Sequence, residues 1–328
     1  MSVKIAVVGT GNVARNSYLQ FLSEQEDVAL TYLSRTRSKA EACAEDFGGC
    51  VVDLAEELLA GAPDAILVLT RETQRYEAAS SLLEGKPRRL FFEKPLVAQQ
   101  GQANVCEDDF HKAADLLERS RASGTETAMV FNYRFFDQTV RMEEIIAERG
   151  FGKLIQASMF VNYACWSHCI DLLHLFGGRA SQVTALAGCT QYGDAVDVSG
   201  SFRLANGATG TILGTNGFKF DFPLYQILLS FEQGTIRFGD LDGPMEVYDT
   251  STRYRETHDL IGHHSRWDQY RSSFEKSLAA YLDSVRQGGP PPVPGIAGLE
   301  ELQFEVALRR SIEQNRPVDV QDEFPIDA

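Results

Sequence analysis

The feature that most constrains this chain is a glycine turn directly after its first apolar run. Residues 4–8 (Lys-Ile-Ala-Val-Val) lead into a Gly-x-Gly-x-x-Ala sequence that ends at Ala14. The first glycine allows a tight turn, the second lets a pyrophosphate approach the backbone, and the alanine permits close helix–strand packing. The helical pattern that follows would direct its N-terminal N–H groups at the phosphates. We therefore expect dinucleotide contacts, rather than a turn without a ligand, from Gly9, Thr10, Gly11, Asn12 and Val13.

Alternating strand and helix patterns fill the first 131 residues, which predicts βαβ crossovers and a parallel sheet. Residues 65–69 are continuously apolar, as in a strand that is covered on both faces. The predicted strands are 3–8, 28–34, 50–53, 64–69, 88–93 and 126–131, and the predicted helices are 12–24, 37–47, 72–85 and 107–123.

Beyond about residue 150 the pattern changes to strands joined by tight turns, such as Asn206-Gly207 and Gln233-Gly234. Strands are predicted at 153–163, 181–191, 196–204, 208–214, 224–231 and 233–239, and helices at 167–176, 265–287 and 297–315. The fold class is therefore α/β, with a Rossmann dinucleotide-binding domain over 1–131. We expect an α+β substrate-binding and oligomerisation domain with an open, largely antiparallel sheet over 132–328. Such a sheet exposes an apolar face unless it is covered, which favours a homo-oligomer, either a dimer or a tetramer.

Composition excludes several classes of partner. The formal charge of −15 argues against nucleic acid, although a local cationic pocket could still take an anionic substrate. No apolar stretch reaches the roughly 18 residues of a membrane helix, and the chain enters a strand at once, so we expect no membrane association and a cytoplasmic location. The six cysteines form no CxxC pair, which indicates reduced, mostly buried thiols.

A lysine follows the fifth predicted strand, in the sequence Phe92-Glu93-Lys94-Pro95. In an open α/β sheet, ligands bind beyond the carboxyl ends of the strands. Lys94 could therefore stand beside a nicotinamide and donate to a substrate oxygen; the alternative is an ordinary surface lysine. Pro95 restricts Lys94 to an extended conformation and is a candidate for a cis bond.

Four motifs in this order resemble the glucose–fructose oxidoreductase/inositol dehydrogenase/rhizopine catabolism family. They are the glycine turn, Glu93-Lys94-Pro95, Phe131-Asn-Tyr-Arg-Phe135 and the His-x-x-Asp segment at 168–171. Members are mostly NAD(P)-dependent oxidoreductases of sugars, cyclitols and their derivatives. The resemblance implies that Lys94 and a histidine flank the carbon that exchanges hydride, and that Thr70 and Glu93 contact the cofactor.

The histidine in question is His168. On a helix over 167–176 it shares a face with Asp171, and a histidine can exchange a proton near neutral pH. The alternative is a packed helical histidine, which is how we interpret His174, about 120° away on the helix. Cys165, His168 and Cys169 lack a distant fourth ligand, so we expect no metal.

Two departures from the family pattern affect the site. Many members carry an aspartate four residues before the histidine, where this chain has Ala164, so that Tyr163 or Asp171 would supply the missing hydroxyl or charge. After the fourth strand, the usual Thr-Pro-Asn-x-x-His is Thr70-Arg-Glu-Thr-Gln-Arg75, which leaves cofactor contacts from this loop open. We expect substrate contacts from Tyr133, Arg134, Tyr163, Trp166 and Asp171.

The end of the second strand bears on the choice of cofactor. An NAD-preferring fold usually places an acidic side chain here, whereas this chain has Ser34 followed by Arg35, Arg37 and Lys39. Serine removes the charge that would repel a 2′-phosphate, and the cations could accept it. We therefore expect NADP(H) in preference to NAD(H), with contacts from Ser34, Arg35 and Lys39; a solvated basic turn is the alternative.

The sequence thus predicts an enzyme that moves hydride between a nicotinamide and a carbon of a small, sugar-like substrate. Two alternatives stay open. The aromatic residues near the expected cleft would also suit a reductase of a non-sugar carbonyl, and Ala164 with the altered 70–75 loop would suit a cofactor-binding regulatory protein without catalysis.

Overall fold

The fold is taken from a computed structural model that describes residues 2–192, 195–215, 223–262 and 265–326, the side chains of 189–192 and 195 excepted. The chain divides into two compact units, Met1–Phe131 with Phe274–Leu302, and Asn132–Ser273 with Gln303–Ala328. The change at 131/132 coincides with the expected domain boundary. Residues 274–302, which the sequence analysis kept in the second domain, group instead with the first unit.

The first unit contains a six-stranded parallel sheet in the order β3-β2-β1-β4-β5-β6. Its strands are β1 Val3–Val8, β2 Val28–Leu33, β3 Cys50–Val52, β4 Ala65–Val68, β5 Arg89–Phe92 and β6 Glu126–Met129. Its helices are α1 Gln20–Ser23, α2 Arg37–Phe47, α3 Ala55–Ala60, α4 Glu72–Leu83 and α5 Glu107–Ser123. The Rossmann-like topology is confirmed, and β4 is buried along its whole length.

Two details of the first unit differ from the sequence prediction. The helix expected over 12–24 is π-helical over Ala14–Leu19, a wider turn that buries Tyr18 completely before α1 begins. Helix α3 was not predicted, because its six residues carry too short an apolar pattern to be distinguished from a loop.

The second unit is built on a nine-stranded, mostly antiparallel sheet in the order β14-β13-β12-β11-β7-β10-β9-β8-β15. Strands β7 and β10 pair in parallel, and the other neighbouring strands among the described residues of this sheet pair antiparallel. Helix α6 Asp137–Arg149 comes before the first strand of this sheet in the chain, and helix α7 Trp166–Gly177 comes between the first and second strands. The strands are β7 Leu154–Asn162, β8 Ala180–Tyr192, β9 Ala195–Leu204, β10 Thr209–Thr215, β11 Tyr225–Phe231, β12 Gly234–Gly239, β13 Met245–Asp249, β14 Arg255–His258 and β15 Val318–Asp319.

Helices close the chain as α8 Arg266–Gln287, α9 Ile296–Gln314 and α10 Val320–Glu323. The largely antiparallel sheet is confirmed, whereas α6, β13, β14, β15 and α10 were not predicted. Within the part of the chain that the structure describes, no helix combines the length and the hydropathy that a bilayer crossing requires.

The thiols are less uniformly buried than the composition suggested. Cys43, Cys165 and Cys169 are buried and Cys50 is exposed, and all are free thiols, as is the half-buried Cys106. The side chain of Cys189 lies outside the described residues.

Candidate active site

The glycine turn after β1 has the geometry that dinucleotide binding requires. Gly9 has a φ of +97°, and a β-carbon there would lie 2.7 Å from the backbone nitrogen of Thr70, so both conformation and space require glycine. A β-carbon on Gly11 would meet nothing within 4 Å. The space above Gly11 is therefore open at the point where a Gly-x-Gly-x-x-Ala turn receives a pyrophosphate.

Two hydroxyls beside this turn fit a bound cofactor. The side-chain oxygens of Thr10 and Thr70 are buried, and neither has a hydrogen-bond partner among the residues described. Val13, on the first helical turn, is 49% exposed although it is apolar. Because buried hydroxyls are usually satisfied, these groups together fit the NAD-type dinucleotide that the fingerprint predicts.

The basic turn after β2 is only partly available to a ligand. Arg37 pairs with Asp53, and its Nε lies 2.8 Å from an oxygen of Glu41, which raises the pKa of the guanidinium. Arg35 and Lys39 are exposed. Of the three cations, Arg35 and Lys39 are thus the better placed to meet a 2′-phosphate.

The segment after β5 is held by its own glutamate. The Tyr18 hydroxyl donates to Glu93 Oε1 at 2.7 Å, and the backbone nitrogen of Lys94 donates to Glu93 Oε2 at 2.9 Å. The Lys94–Pro95 bond is cis, as the proline suggested. The half-buried Lys94 directs its Nζ to Gln102 Oε1 at 3.3 Å. Glu93 therefore holds the backbone of Lys94 by a hydrogen bond. Tyr18, which bonds to the same carboxylate, is a residue that sequence reasoning missed.

Arg75 is the other residue that sequence reasoning missed. It is 2% exposed, and its guanidinium donates to the backbone oxygens of Pro95 and, at 2.8 Å, of Thr70. The only available sequence signal was that an arginine replaces the histidine of the family pattern. Backbone carbonyls leave no trace in a sequence, so the contacts themselves were not predictable.

In the second unit, His168 lies on the first turn of α7, 2% exposed. Its ring stacks on that of Tyr133, with centroids 4.1 Å apart and planes 8° from parallel. The Tyr133 hydroxyl donates to Cys165 Sγ at 3.1 Å, and burial raises the pKa of the phenol. Stacking fixes the plane of the imidazole, so that its nitrogens point in defined directions.

Of the remaining motif residues in the second unit, Arg134 and Asp171 bind each other. Arg134 donates to both carboxylate oxygens of Asp171, Nε at 2.8 Å and Nη2 at 2.5 Å. Asp171 is 1% exposed; burial raises the pKa of its carboxyl group, and Arg134 opposes that rise. The ion pair ties the segment before α6 to the helix that carries His168.

Tyr163 and Trp166, at the junction of β7 and α7, lie against each other with ring centroids 5.3 Å apart. The Tyr163 hydroxyl donates to the backbone oxygen of Val196 at 2.7 Å, and the Ala164 nitrogen donates to Asn162 Oδ1. Trp166 is 4% exposed, and its Nε1 has no acceptor within the described parts of the chain. Of this pair, Trp166 is thus the residue with a donor to offer a ligand.

A family comparison supports the class of protein that the motifs indicate. Residues 3–144 match the model of the glucose–fructose oxidoreductase/inositol dehydrogenase/rhizopine catabolism family, described as an oxidoreductase family with an NAD-binding Rossmann fold. Over these residues the chain is similar to this family of NAD-binding oxidoreductases, and the resemblance of its motifs up to residue 144 is confirmed. The match ends within α6. Among curated proteins, none matches the chain significantly.

Solved structures extend the likeness in fold to the whole chain. An oxidoreductase from Agrobacterium radiobacter, in complex with NAD+, L-tartaric acid and magnesium, has a TM-score of 0.83 at 16% identity over 98% of this chain and 100% of that one. UDP-N-acetylglucosamine 3-dehydrogenase from Acidithiobacillus ferrooxidans gives 0.77 at 16% identity, over 96% and 99%. The WlbA dehydrogenase from Bordetella pertussis, in complex with NADH and UDP-GlcNAcA, gives 0.77 at 17% identity, over 97% of each chain.

Proposed function

We propose that this oxidoreductase transfers hydride between a nicotinamide and a carbon of a sugar, cyclitol or sugar derivative, with Lys94 and His168 managing the proton. The observation that carries the proposal is the set of contacts on Glu93, which hold the backbone of Lys94 at the carboxyl end of β5. Two proteins of the same fold act on or bind sugar nucleotides, which favours this substrate class.

The bound nicotinamide would supply only the hydride chemistry, taking or giving it at a substrate carbon. The chain's own residues handle the oxygen on that carbon. Lys94 places its ammonium group beside the oxygen and stabilises developing negative charge. His168 takes the hydroxyl proton when an alcohol is oxidised, and returns it when a carbonyl is reduced. Stacking on Tyr133 suits this role, because an imidazole exchanges protons only through the nitrogens at its ring edge.

The remaining predicted substrate residues divide into two groups. Trp166 offers its buried Nε1 donor directly to the substrate, and Tyr163 lies against the Trp166 ring. Tyr133, Arg134 and Asp171 serve the substrate through His168, because their polar groups already bind Cys165 and one another.

We also propose NADP(H) as the preferred cofactor. Ser34 carries no charge to repel a 2′-phosphate, and Arg35 and Lys39 are exposed beside it. Thr10 and Thr70 would hold the rest of the dinucleotide through their buried hydroxyls, which have no partner among the described residues, and Gly11 would leave room for the pyrophosphate. These contacts do not depend on the 2′-position.

A second copy of the chain is the proposed occupant of the exposed face of the nine-stranded sheet. Leu186 is 71% exposed on this face, Leu213 39% and Leu228 37%. Their exposed neighbours on β7 and β10 are uncharged, among them Ser158 and Thr211. Exposed leucines beside an uncharged strip on β7 and β10 suit a homodimer, which light scattering of the parent and of Leu228→Arg would test.

A second candidate substrate class is a hydroxy acid rather than a sugar. The structure from Agrobacterium radiobacter is a complex with NAD+, L-tartaric acid and magnesium. A non-sugar substrate of this kind would use the same lysine and histidine, so the substrate panel must contain both classes.

The test is to assay the protein with NADPH or NADP+ against sugars, nucleotide sugars, cyclitols and hydroxy acids, and then to assay Lys94→Ala on the best substrate. We expect kcat to fall by about 100-fold or more, with NADPH affinity within a few-fold of the parent. Lys112→Ala, which removes an α5 lysine paired with Asp108, is the matched control and should leave kcat unchanged. A fully active Lys94→Ala enzyme would refute the assigned role. A parent that binds NADPH yet converts no member of the panel would favour a regulatory protein.

A further inference from the structure

Arg75, on the second turn of α4, makes contacts that the proposed chemistry has not used. Its side chain lies inside the first unit, where the guanidinium donates to the backbone oxygens of Thr70 and Pro95. These two acceptors belong to different loops, one after β4 and one after β5. A single side chain therefore bridges the ends of two neighbouring strands.

The bridge extends to the glycine turn. Thr70, which gives one of the two carbonyls, also packs its backbone nitrogen against Gly9, so closely that a β-carbon on Gly9 would lie 2.7 Å away. Pro95, which gives the other, directly follows Lys94. Arg75 thus fixes the spacing between the turn that receives the dinucleotide and the lysine that faces its reactive end.

Burial of this guanidinium needs a physical reason. Burial lowers the pKa of Arg75, while Glu93 and Glu72 oppose that effect. A buried charge is costly to fold, and well-packed apolar side chains often replace such groups without loss of stability. An arginine stays charged and offers five donors in a rigid fork, which can reach carbonyls on two loops at once.

We propose that Arg75 is a positioning residue that sets the relative placement of the glycine turn, the Thr70 loop and Lys94 for cofactor and hydride transfer. The part that concerns Lys94 rests on the function proposed above. Arg75 stands where the family pattern has a histidine, and in this chain its contacts hold the loop after β4.

Two variants of Arg75 and one matched control test the proposal. Arg75→Met keeps the length and removes every donor, and Arg75→Lys keeps the charge but not the fork. Arg119→Met is the control, because Arg119 makes the same kind of bond elsewhere in the unit, from α5 to the backbone oxygen of Ser80 on α4 at 3.2 Å. Each protein is examined by amide hydrogen exchange, NADPH fluorescence titration and steady-state kinetics, well below its thermal midpoint.

In Arg75→Met we expect exchange to rise by roughly tenfold or more in peptides that cover 69–72 and 94–98, but not across the rest of the first unit. NADPH affinity should fall several-fold and kcat by about 10- to 100-fold. Arg75→Lys should be intermediate, and Arg119→Met should lower the melting temperature without any of these effects. If Arg75→Met does not fold, Arg75→Lys decides the question by the same measurements.

Exchange that rises uniformly, or kinetics that match those of Arg119→Met, would overturn the proposal and leave Arg75 a purely structural residue. The exchange measurement needs no substrate, so the two proposals fail separately. Local loosening together with a fully active Lys94→Ala would leave the positioning role standing and refute the catalytic one. An inactive Lys94→Ala with unchanged exchange in Arg75→Met would do the reverse.

Discussion

The surroundings of Lys94 and of His168 are held in place by different kinds of contact. Beside Lys94, a buried arginine, Arg75, bonds to backbone carbonyls of two loops. Beside His168, a half-buried arginine, Arg134, bonds to the carboxylate of Asp171 on the same helix as the histidine. A carbonyl that loses its partner stays neutral, whereas a carboxylate that loses its partner leaves a buried charge. The two regions should therefore respond differently to the loss of their arginines.

The largest effect expected in the second unit is on turnover, from His168→Asn. Without the imidazole the substrate oxygen has no direct proton partner there, and Ala164 removes the carboxylate that would otherwise assist. We expect kcat to fall by about 10²- to 10⁴-fold and its pH dependence near neutrality to flatten. Steady-state rates across a pH series measure both effects. A variant as active as the parent would assign proton transfer elsewhere, with Tyr163 the first residue to test.

His174→Asn is the matched control on the same helix, and it should affect stability instead of turnover. Burial lowers the pKa of His174 to about 3, with contributions from Arg134 and Arg179. The unfolded chain therefore binds a proton below pH 6.5 that the folded chain excludes, so stability falls as the pH drops from 6.5 toward 3. The parent should lose about 1–2 kcal/mol by pH 5 that the variant keeps, as measured by urea unfolding. Equal pH dependence in both proteins would contradict this assignment.

Removing Arg134 tests the difference between an arginine bonded to a buried carboxylate and an arginine bonded to backbone carbonyls. Arg134→Met leaves Asp171 buried without its cation, which should cost about 3–5 kcal/mol in the free energy of unfolding. Arg75→Met leaves two neutral carbonyls, and only the bond to the Pro95 oxygen is fully buried, so the cost should be about 1–3 kcal/mol. Replacing both members, as Arg134→Met with Asp171→Leu, should recover much of the loss. Urea unfolding of the three variants would contradict the comparison if Arg134→Met were the least destabilised.

The same difference explains what the sequence could predict. Arg134, Asp171 and His168 stand in short motifs whose side chains meet one another, so sequence reasoning singled out all three. Arg75 acts on backbone oxygens, and these look alike at every position in a sequence. The glycine turn was predictable because only glycine allows a φ of +97° with a neighbouring backbone at Gly9.

Secondary structure follows a similar rule. The strands of the parallel sheet were found because burial on both faces makes them continuously apolar, as at 65–69. The edge strands β14 and β15 were missed, since β14 has no buried residue and β15 has only two residues. The neighbouring five-residue strand β13 was missed as well. The assignment of 274–302 to the first unit was also missed, because packing of a helix on a distant part of the chain leaves no local pattern.

The smallest predicted effect concerns the basic turn after β2, where no buried contact decides the outcome. Ser34→Asp introduces a carboxylate that repels a 2′-phosphate and can bind the ribose hydroxyls of NAD(H) instead. We expect the ratio of the two dissociation constants to move toward NAD(H) by about tenfold, or 1.4 kcal/mol, in fluorescence titrations.

The flanking arginines supply the matched pair for this test. Arg35 is exposed, so Arg35→Gln should weaken NADPH more than NADH. Arg37 is already paired with Asp53 and Glu41, so Arg37→Gln should change both affinities equally or not at all. A parent that binds NADH tenfold more tightly than NADPH would refute the proposed cofactor. So would an Arg35→Gln variant whose affinities for NADPH and NADH fall by the same factor. The turn would then be a solvated surface that takes no part in the choice between NADH and NADPH.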